Sequence, residues 1–470
     1  VKTVAIIGGG ITGLSAAYHL EEQAKAGGLP LACRLIERQS QFGGKIRTDR
    51  IDGLIIEGGP DSFISMKPWG IELCQRLGLA DHLTGTNPDQ KQIYLLYKGR
   101  LVELPEGVMT LVPTRLWPFV KSPLISPLGK LRMGLDLFIP PKRDKQDESL
   151  ASFVQRRLGR EMLERIAEPL LAGIYAGDPR QMSLASTFPQ FREIEQKYGS
   201  LTCGMMARRR AVSPASSRYT MFMTLREGMG ELVETLIKRL DPASRMTGSG
   251  VIGIQPYSMA YELLLADGRR LEADAVILAT PAFVTADLLK QLDPLLSNRL
   301  IKIPYVSTAT VSLAYKRSGF FHLLNGFGFV VPRSEQRTIL ACTWTSTKFP
   351  HRATSDRILV RCFVGGAGRE ELALQEETSL VKMVCEDLKA IMGIATEPIL
   401  TKVYRWEKAN PQYKVGHLEQ VAEIEKMMAQ HPGLFVAGAA YRGVGVADCI
   451  HQGVQTAEKV LAYFKQSKNV

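Results

Sequence analysis

Three glycines near the start of the chain fall at the spacing Gly8-x-Gly10-x-x-Gly13, with Gly9, Ile11 and Thr12 between them. They follow the β-branched run Val4-Ala5-Ile6-Ile7 and precede Leu14-Ser15-Ala16-Ala17-Tyr18-His19-Leu20, a segment of helical propensity. A strand, a glycine turn and a helix in that order suit a dinucleotide pyrophosphate. Gly8 permits the tight turn, Gly10 lets the backbone approach the phosphates, and Gly13 lets helix and strand pack closely, while the helix N-terminus favours negative charge. After a Gly27-Gly28 turn, Leu31-Ala32-Cys33-Arg34-Leu35-Ile36-Glu37 reads as a second strand ending in an acid, placed to hydrogen-bond the ribose of an adenosine half. The plainer alternative is a βα turn with packing glycines and a solvated glutamate.

Gly248-Ser249-Gly250-Val251-Ile252-Gly253 repeats the glycine spacing, but a hairpin pattern with an Asp267-Gly268 turn follows it instead of a helix. We read it as a false match for phosphate, so no separate nicotinamide domain is expected. Other glycine-rich segments must complete the site: Gly43-Gly44-Lys45, Glu57-Gly58-Gly59-Pro60-Asp61-Ser62-Phe63, and Leu434-Phe435-Val436-Ala437-Gly438 leading through residues 439–445 into a helix over 446–464. A strand that delivers a glycine loop to a helix N-terminus offers backbone donors to phosphate, ribityl or ring oxygens.

These elements belong to a chain of 470 residues, about three domains' worth, with 45% hydrophobic and 23% charged residues. That composition excludes a disordered or fibrous main state. No apolar run reaches the roughly 18 to 20 residues of a spanning helix, and the first is too short for a signal peptide core. Seven scattered cysteines without C-x-x-C argue against a disulfide framework or structural zinc and for a reduced, cytoplasmic setting. No histidine pair marks a metal site. The net charge of +12 suits an anionic partner, whether carboxylated substrate, membrane headgroup or nucleic acid.

Four segments carry a family resemblance: Glu57-Gly-Gly-Pro-Asp-Ser-Phe63; Glu168-Pro169-Leu170 through Gly173-Ile174-Tyr175-Ala176-Gly177-Asp178-Pro179; Ser186-Thr187-Phe188-Pro189; and Tyr441-Arg442-Gly443-Val444-Gly445-Val446-Ala447-Asp448-Cys449. Over essentially its whole length the chain resembles the FAD-dependent amine-oxidase-like superfamily, and within it the protoporphyrinogen and coproporphyrinogen oxidases, most of all their soluble Gram-positive branch. The resemblance implies non-covalent FAD. Residues Gly8 to Gly13 would hold its pyrophosphate, Glu37 and Arg38 the ribose end, Lys45 the early loop, and Gly59, Pro60, Asp61 and Ser62 the flavin side. Val251 would meet the adenine through its backbone, and Trp406, Val444, Gly445 and Val446 would complete the site. Trp406 as a core residue and Val251 as a plain strand residue are the alternatives.

For the substrate, the resemblance points to Lys67, Ile174, Val330, Thr343 and Phe363, with Thr343 standing where better-known relatives carry leucine. Lys67 would meet a propionate and Phe363 would stack on a pyrrole ring; a surface lysine and a buried core ring are the rival readings. No general base is assigned, because the cofactor carries the redox step. The implied activity is oxygen-dependent oxidation of coproporphyrinogen III, and to some extent protoporphyrinogen IX, with peroxide release and a ferrochelatase downstream. An amine oxidase, a carotenoid desaturase or a non-catalytic FAD-containing scaffold of the haem pathway remain alternatives.

The expected fold is α/β: a Rossmann-like FAD-binding domain from residues 1–66, 226–300 and 404–470, with an antiparallel-sheet substrate domain from 67–103, 180–225 and 301–403. The third part, a helical subdomain over 104–179, interleaves Arg115, Lys121, Lys130 and Arg132 with Trp117, Phe119, Leu124, Ile125, Leu128, Leu131, Met133, Leu135 and Phe138. Apolar and basic residues together suit an anionic membrane surface at the inner face of the cell membrane; they equally suit the private core of a helical unit. Arg208-Arg209-Arg210 is expected in a solvated loop. Nucleic-acid binding is not expected, since no aromatic platform accompanies the basic residues.

Overall fold

The computed structural model describes residues 1–105, 119, 121–144, 146–211 and 219–466. Strand Lys2–Ile7 lies at the centre of a five-stranded parallel sheet, ordered Arg245–Thr247, Leu31–Glu37, Lys2–Ile7, Ala275–Leu278, Leu434–Val436. Parallel strands covered on both faces are apolar without alternation, which is the pattern of residues 4–7 and 275–278. Helix Ile11–Gly27 packs on this sheet, and Gly28 at φ +58° ends it in the left-handed conformation that glycine adopts cheaply. The final helix, Val446–Gln466, packs along it. The crossing requires Gly453, where a Cβ would come 2.4 Å from the Thr12 carbonyl oxygen.

A three-stranded antiparallel sheet, Val251–Tyr257, Ala260–Leu265 and Arg270–Ala273, grows from the edge of this unit. The second glycine repeat is therefore a turn between two strands, with no helix N-terminus behind it.

The larger sheet has seven strands in the order Leu400–Pro411, Tyr305–Lys316, Arg357–Gly365, Ile339–Thr343, Gly328–Val330, Ile93–Tyr97, Arg100–Glu103. Its pairings are antiparallel except for Gly328–Val330 beside Ile93–Tyr97, which run parallel. Alternation divides it cleanly. Ala309, Val311, Leu313, Val360, Cys362, Val364 and Cys342 form an apolar core with helix Glu377–Met392 on one side, which leaves Thr308, Thr310, Arg361, Phe363 and Thr343 on the other.

The helical unit splits its apolar residues between the two expectations. Phe119, Leu124, Ile125, Met133, Phe153 and Phe191 share a buried core, whereas Leu128, Leu131 and Phe138 are 79%, 69% and 81% exposed. Arg115 and Trp117 lie outside the described residues. Fully buried Arg157 pairs with Asp136 at 2.8 Å and ties this unit together. The arginine run 208–210 is not in a loop: it lies on helix Leu201–Ala211, and Arg208 approaches Glu193 at 3.8 Å. A helix carries an exposed arginine such as Arg208 as readily as a loop does. Among the described residues no helix is long and apolar enough to cross a membrane, and no group of His, Cys, Asp and Glu could hold a metal ion.

Candidate active site

The glycine turn is built around Gly8, whose φ of +109° and close approach to the Ala279 carbonyl leave no room for a Cβ. A Cβ at Gly13 would lie 2.0 Å from the Gly8 carbonyl oxygen, so helix and strand touch there. Gly10 differs. Its φ of −73° is ordinary, and a Cβ there would meet nothing within 4 Å. The space beside Gly10 is open, and Gly10 has no side chain to cap the helix, so the N–H groups at Ile11, Thr12 and Gly13 are offered to a ligand. Glu37 accepts the N–H groups of Gly9 and Gln39, both at 2.8 Å, which holds its carboxylate against the turn.

Neighbouring segments close round this opening. Gly43 N–H donates to the Gly9 carbonyl at 2.8 Å, and a Cβ at Gly59 would fall 1.8 Å from the Lys45 carbonyl oxygen. Lys45 Nζ donates to the Ala409 carbonyl at 2.6 Å. The Lys45 side chain has accessible surface, Asp61 and Tyr175 keep a little, and yet protein atoms crowd around all three. Burial pulls the Lys45 ammonium down and, with Asp448 nearby, pushes the Tyr175 phenol up to about 12. Open space at Gly10, uncapped helix N–H groups and the nearby Lys45 together fit a dinucleotide.

Val251 lies where the adenosine end is expected: Thr247 pairs with Glu37 in the sheet, and the Arg38 side chain packs over Gly250. Val251 itself is 9% exposed. At the other end, the Gly58 carbonyl accepts from Thr310 Oγ1 at 3.0 Å, Arg361 Nη2 at 3.0 Å and Trp406 Nε1 at 2.9 Å. Trp406 is thus a donor that anchors the loop over 57–62. Beyond Pro60, Asp61 pairs with Lys348 at 2.9 Å and accepts from Ser62 Oγ at 2.6 Å. Burial raises the Asp61 carboxyl, but the Lys348 and Arg361 charges outweigh it and hold it well below the usual carboxylate range.

Val444, Gly445 and Val446 enter the last helix beside this loop. Gly443 N–H donates to Tyr413 Oη at 2.8 Å, and the Asp448 carboxylate fills the space a Cβ at Gly443 would need. Asp448 in turn holds Lys67. Val330, Ala341 and Phe363 stand abreast on three adjacent strands, with Thr343 one step along. They share a face with Thr310 and Arg361, whose other contacts are the Gly58 carbonyl and, for Arg361, that of Gly59. Helix Glu168–Tyr175 packs against this wall, with Gly173 close to Val330; the Ile174 side chain lies outside the described residues. Arg361, Thr310, Lys348 and Asp448 were missed by sequence reasoning. Arg361 left a trace as the one charge in the apolar run 358–364, and Asp448 stood within the resembling segment 441–449 without a role assigned to it.

The family model for flavin-containing amine oxidoreductases matches residues 11–461. The chain is 40% identical over 466 residues to the coproporphyrinogen III oxidase of Bacillus subtilis (strain 168), covering 98% of each chain. It is 36% identical to the enzyme of the same name from Staphylococcus aureus (strain NCTC 8325 / PS 47), over 98% of this chain and 99% of that one. A crystal structure from Exiguobacterium sp. 255-15, provisionally named a protoporphyrinogen oxidase, superposes with a TM-score of 0.87 at 34% identity, over 98% of both chains. With a glycine turn open at Gly10 and a family match along nearly its whole length, the chain belongs to the flavin-containing amine oxidoreductases.

Proposed function

We propose that this chain is an FAD-dependent coproporphyrinogen III oxidase that also accepts protoporphyrinogen IX. The observation that carries the reading is the shared sheet face: the wall formed by Val330, Thr343 and Phe363 continues through Thr310 and Arg361 to the loop at Gly58. A flat macrocycle lying on that wall would reach the loop proposed to hold the flavin side. The names of the relatives from Bacillus subtilis and Staphylococcus aureus support the substrate class.

Bound FAD would supply a two-electron acceptor that oxygen restores with release of hydrogen peroxide, so that three turnovers account for the six electrons between porphyrinogen and porphyrin. In this reading the first-turn N–H groups at Ile11, Thr12 and Gly13 bind the pyrophosphate, Glu37 and Arg38 the ribose, and Val251 the adenine edge. Lys45, Gly59, Pro60, Asp61 and Ser62 surround the ring, with Trp406 and Val444 to Val446 closing the far side. Val330, Thr343, Phe363 and Ile174 orient the macrocycle, and Lys67 meets a propionate. The cofactor unit would comprise 1–66, 226–300 and 404–470, and the substrate unit 67–103, 180–225 and 301–403. The helical unit over 104–179 would rest on the inner face of the cell membrane through Leu128, Leu131 and Phe138, close to a ferrochelatase that receives the porphyrin.

Anaerobic mixing of the FAD-loaded protein with coproporphyrinogen III tests the reading. Loss of the oxidised flavin absorbance, with stoichiometric return on admitting oxygen, is expected. A flavin that stays oxidised under saturating porphyrinogen would make the protein a scaffold; reduction by amines or carotenoids instead would place it with other members of the family.

A further inference from the structure

Arg361 stands on the site face of strand Arg357–Gly365 and is only 4% exposed. Its guanidinium donates to the carbonyls of Gly58 and Gly59 and lies 4.8 Å from the centre of the Phe363 ring. Its Nε has no acceptor. The nearest carboxylates already have cations of their own: Glu57 is held by Arg352 at 2.9 Å, and Asp61 by Lys348 at 2.9 Å. Among the described residues Arg361 makes no ion pair. Three cations, Lys348, Arg352 and Arg361, therefore face two carboxylates, Glu57 and Asp61, beneath the loop that carries Gly58 and Gly59. A buried guanidinium whose direct contacts are carbonyls and a ring face, beside carboxylates that are already paired with other cations, is costly. It becomes favourable once a negative charge forms nearby in the same low-dielectric surroundings.

Two-electron reduction of a flavin supplies that charge. Two electrons leave the donor and enter the ring together with one proton, so the ring ends with one net negative charge. We infer that Arg361 is the counter-charge for the reduced cofactor: the unmatched guanidinium under Gly58 and Gly59 stabilises the ring after reduction and raises its reduction potential. The inference rests on the proposed FAD reading, and it makes Arg361 a residue that sets how readily the substrate can give up its electrons, not one that touches a reacting carbon.

The measurement of potential needs no porphyrinogen; porphyrinogen enters only to read KM. Wild type, Arg361→Met and Arg361→Lys are loaded with FAD, the bound FAD is counted, and each is reduced alongside a reference dye of known potential. Arg361→Met is expected to shift the reduction equilibrium at least tenfold toward the oxidised cofactor, about 30 mV for a two-electron couple. Arg361→Lys, which keeps the charge, should recover most of that shift near neutral pH. An unchanged potential in FAD-loaded Arg361→Met overturns the inference. So does an unchanged potential with a raised KM for porphyrinogen, which would make Arg361 a carboxylate anchor. Should only Arg361→Lys hold FAD, its potential must fall more steeply with rising pH than that of wild type, because a buried lysine gives up its proton more readily; parallel slopes overturn the inference. FAD loss from both variants with an intact fold reduces Arg361 to a binding role. A wild type that holds no FAD refutes the parent reading instead.

Discussion

The ammonium of Lys67 lies 2.6 and 2.7 Å from the two carboxylate oxygens of Asp448, a residue 381 positions away in the chain. The cation assigned to a substrate propionate thus already has a partner within the protein. Asp448 is anchored in the first turn of the last helix with its side chain 14% exposed, whereas that of Lys67 is 43% exposed. A pair open to solvent on one side is worth little to the fold, so its charge is available to a ligand.

Lys67→Met should therefore raise KM for coproporphyrinogen III by roughly tenfold, in line with about 1.5 kcal/mol for a charged hydrogen bond, with kcat little changed. The penalty should be smaller for protoporphyrinogen IX, which has two propionates instead of four. Asp448→Asn removes the competitor and should lower KM. Anaerobic flavin reduction over a range of each porphyrinogen reads all three effects. Equal losses for both substrates would leave Lys67 as a shared anchor without a part in selectivity.

Gly10 and Gly13 should respond differently to the same methyl group. At Gly13 the Cβ would overlap the Gly8 carbonyl oxygen at 2.0 Å, and overpacking of this kind costs about 1 to 3 kcal/mol. Gly13→Ala is expected to lower the melting temperature with or without FAD. Gly10→Ala meets nothing within 4 Å, so the cofactor-free protein should melt as wild type does while FAD affinity drops at least about tenfold, a loss worth about 1.4 kcal/mol. Equal FAD affinity in Gly10→Ala would move the phosphates away from this turn.

Asp61 makes acid stability depend on Lys348. Its carboxyl titrates well below the ordinary range in the folded protein, and near about 3.9 when unfolded. A depressed carboxyl contributes fully above the unfolded value, and the contribution is lost as pH falls through the folded value. Asp61→Asn should cost about 3 kcal/mol at pH 7, because it strands a buried lysine. The gap to wild type should narrow below about pH 4. Urea unfolding at a series of pH values checks this; a gap independent of pH would mean that Asp61 is not charged in the fold.

Leu128, Leu131 and Phe138, exposed beside Lys130 and Arg132, predict binding to vesicles that increases with anionic lipid and decreases with salt. Leu131→Asp combined with Phe138→Asp should abolish flotation with vesicles and leave bound FAD unchanged. Wild type that stays unbound at low salt would limit these residues to a protein contact or free surface.

The parts of the site that depend on local backbone geometry were legible in the sequence. A β-branched run, glycines at positions 8, 10 and 13, and a helix-forming segment specify a turn with open N–H groups, because tight φ values and close packing exclude a Cβ at Gly8 and Gly13. The acid at Glu37 follows from the length of one helix and one strand. The strands of the large sheet were legible for a similar reason, since polar and apolar residues alternate over 308–313 and a β-branched and apolar run fills 358–364.

What the tertiary structure decided is which distant residues meet. Trp406, Thr310 and Arg361 converge on one carbonyl at Gly58 from three consecutive strands of the large sheet. Lys67 finds Asp448, and Gly453 lets the last helix lie against Thr12. The parallel pairing of Ile93–Tyr97 with Gly328–Val330 left no local mark, and the helix over Leu201–Ala211 overrode the loop that three consecutive arginines suggested. Backbone turns are set by the sterics of neighbouring residues, which a sequence displays. Counter-ions and unpaired charges are set by packing between segments hundreds of residues apart, and those become definite only when the chain has folded.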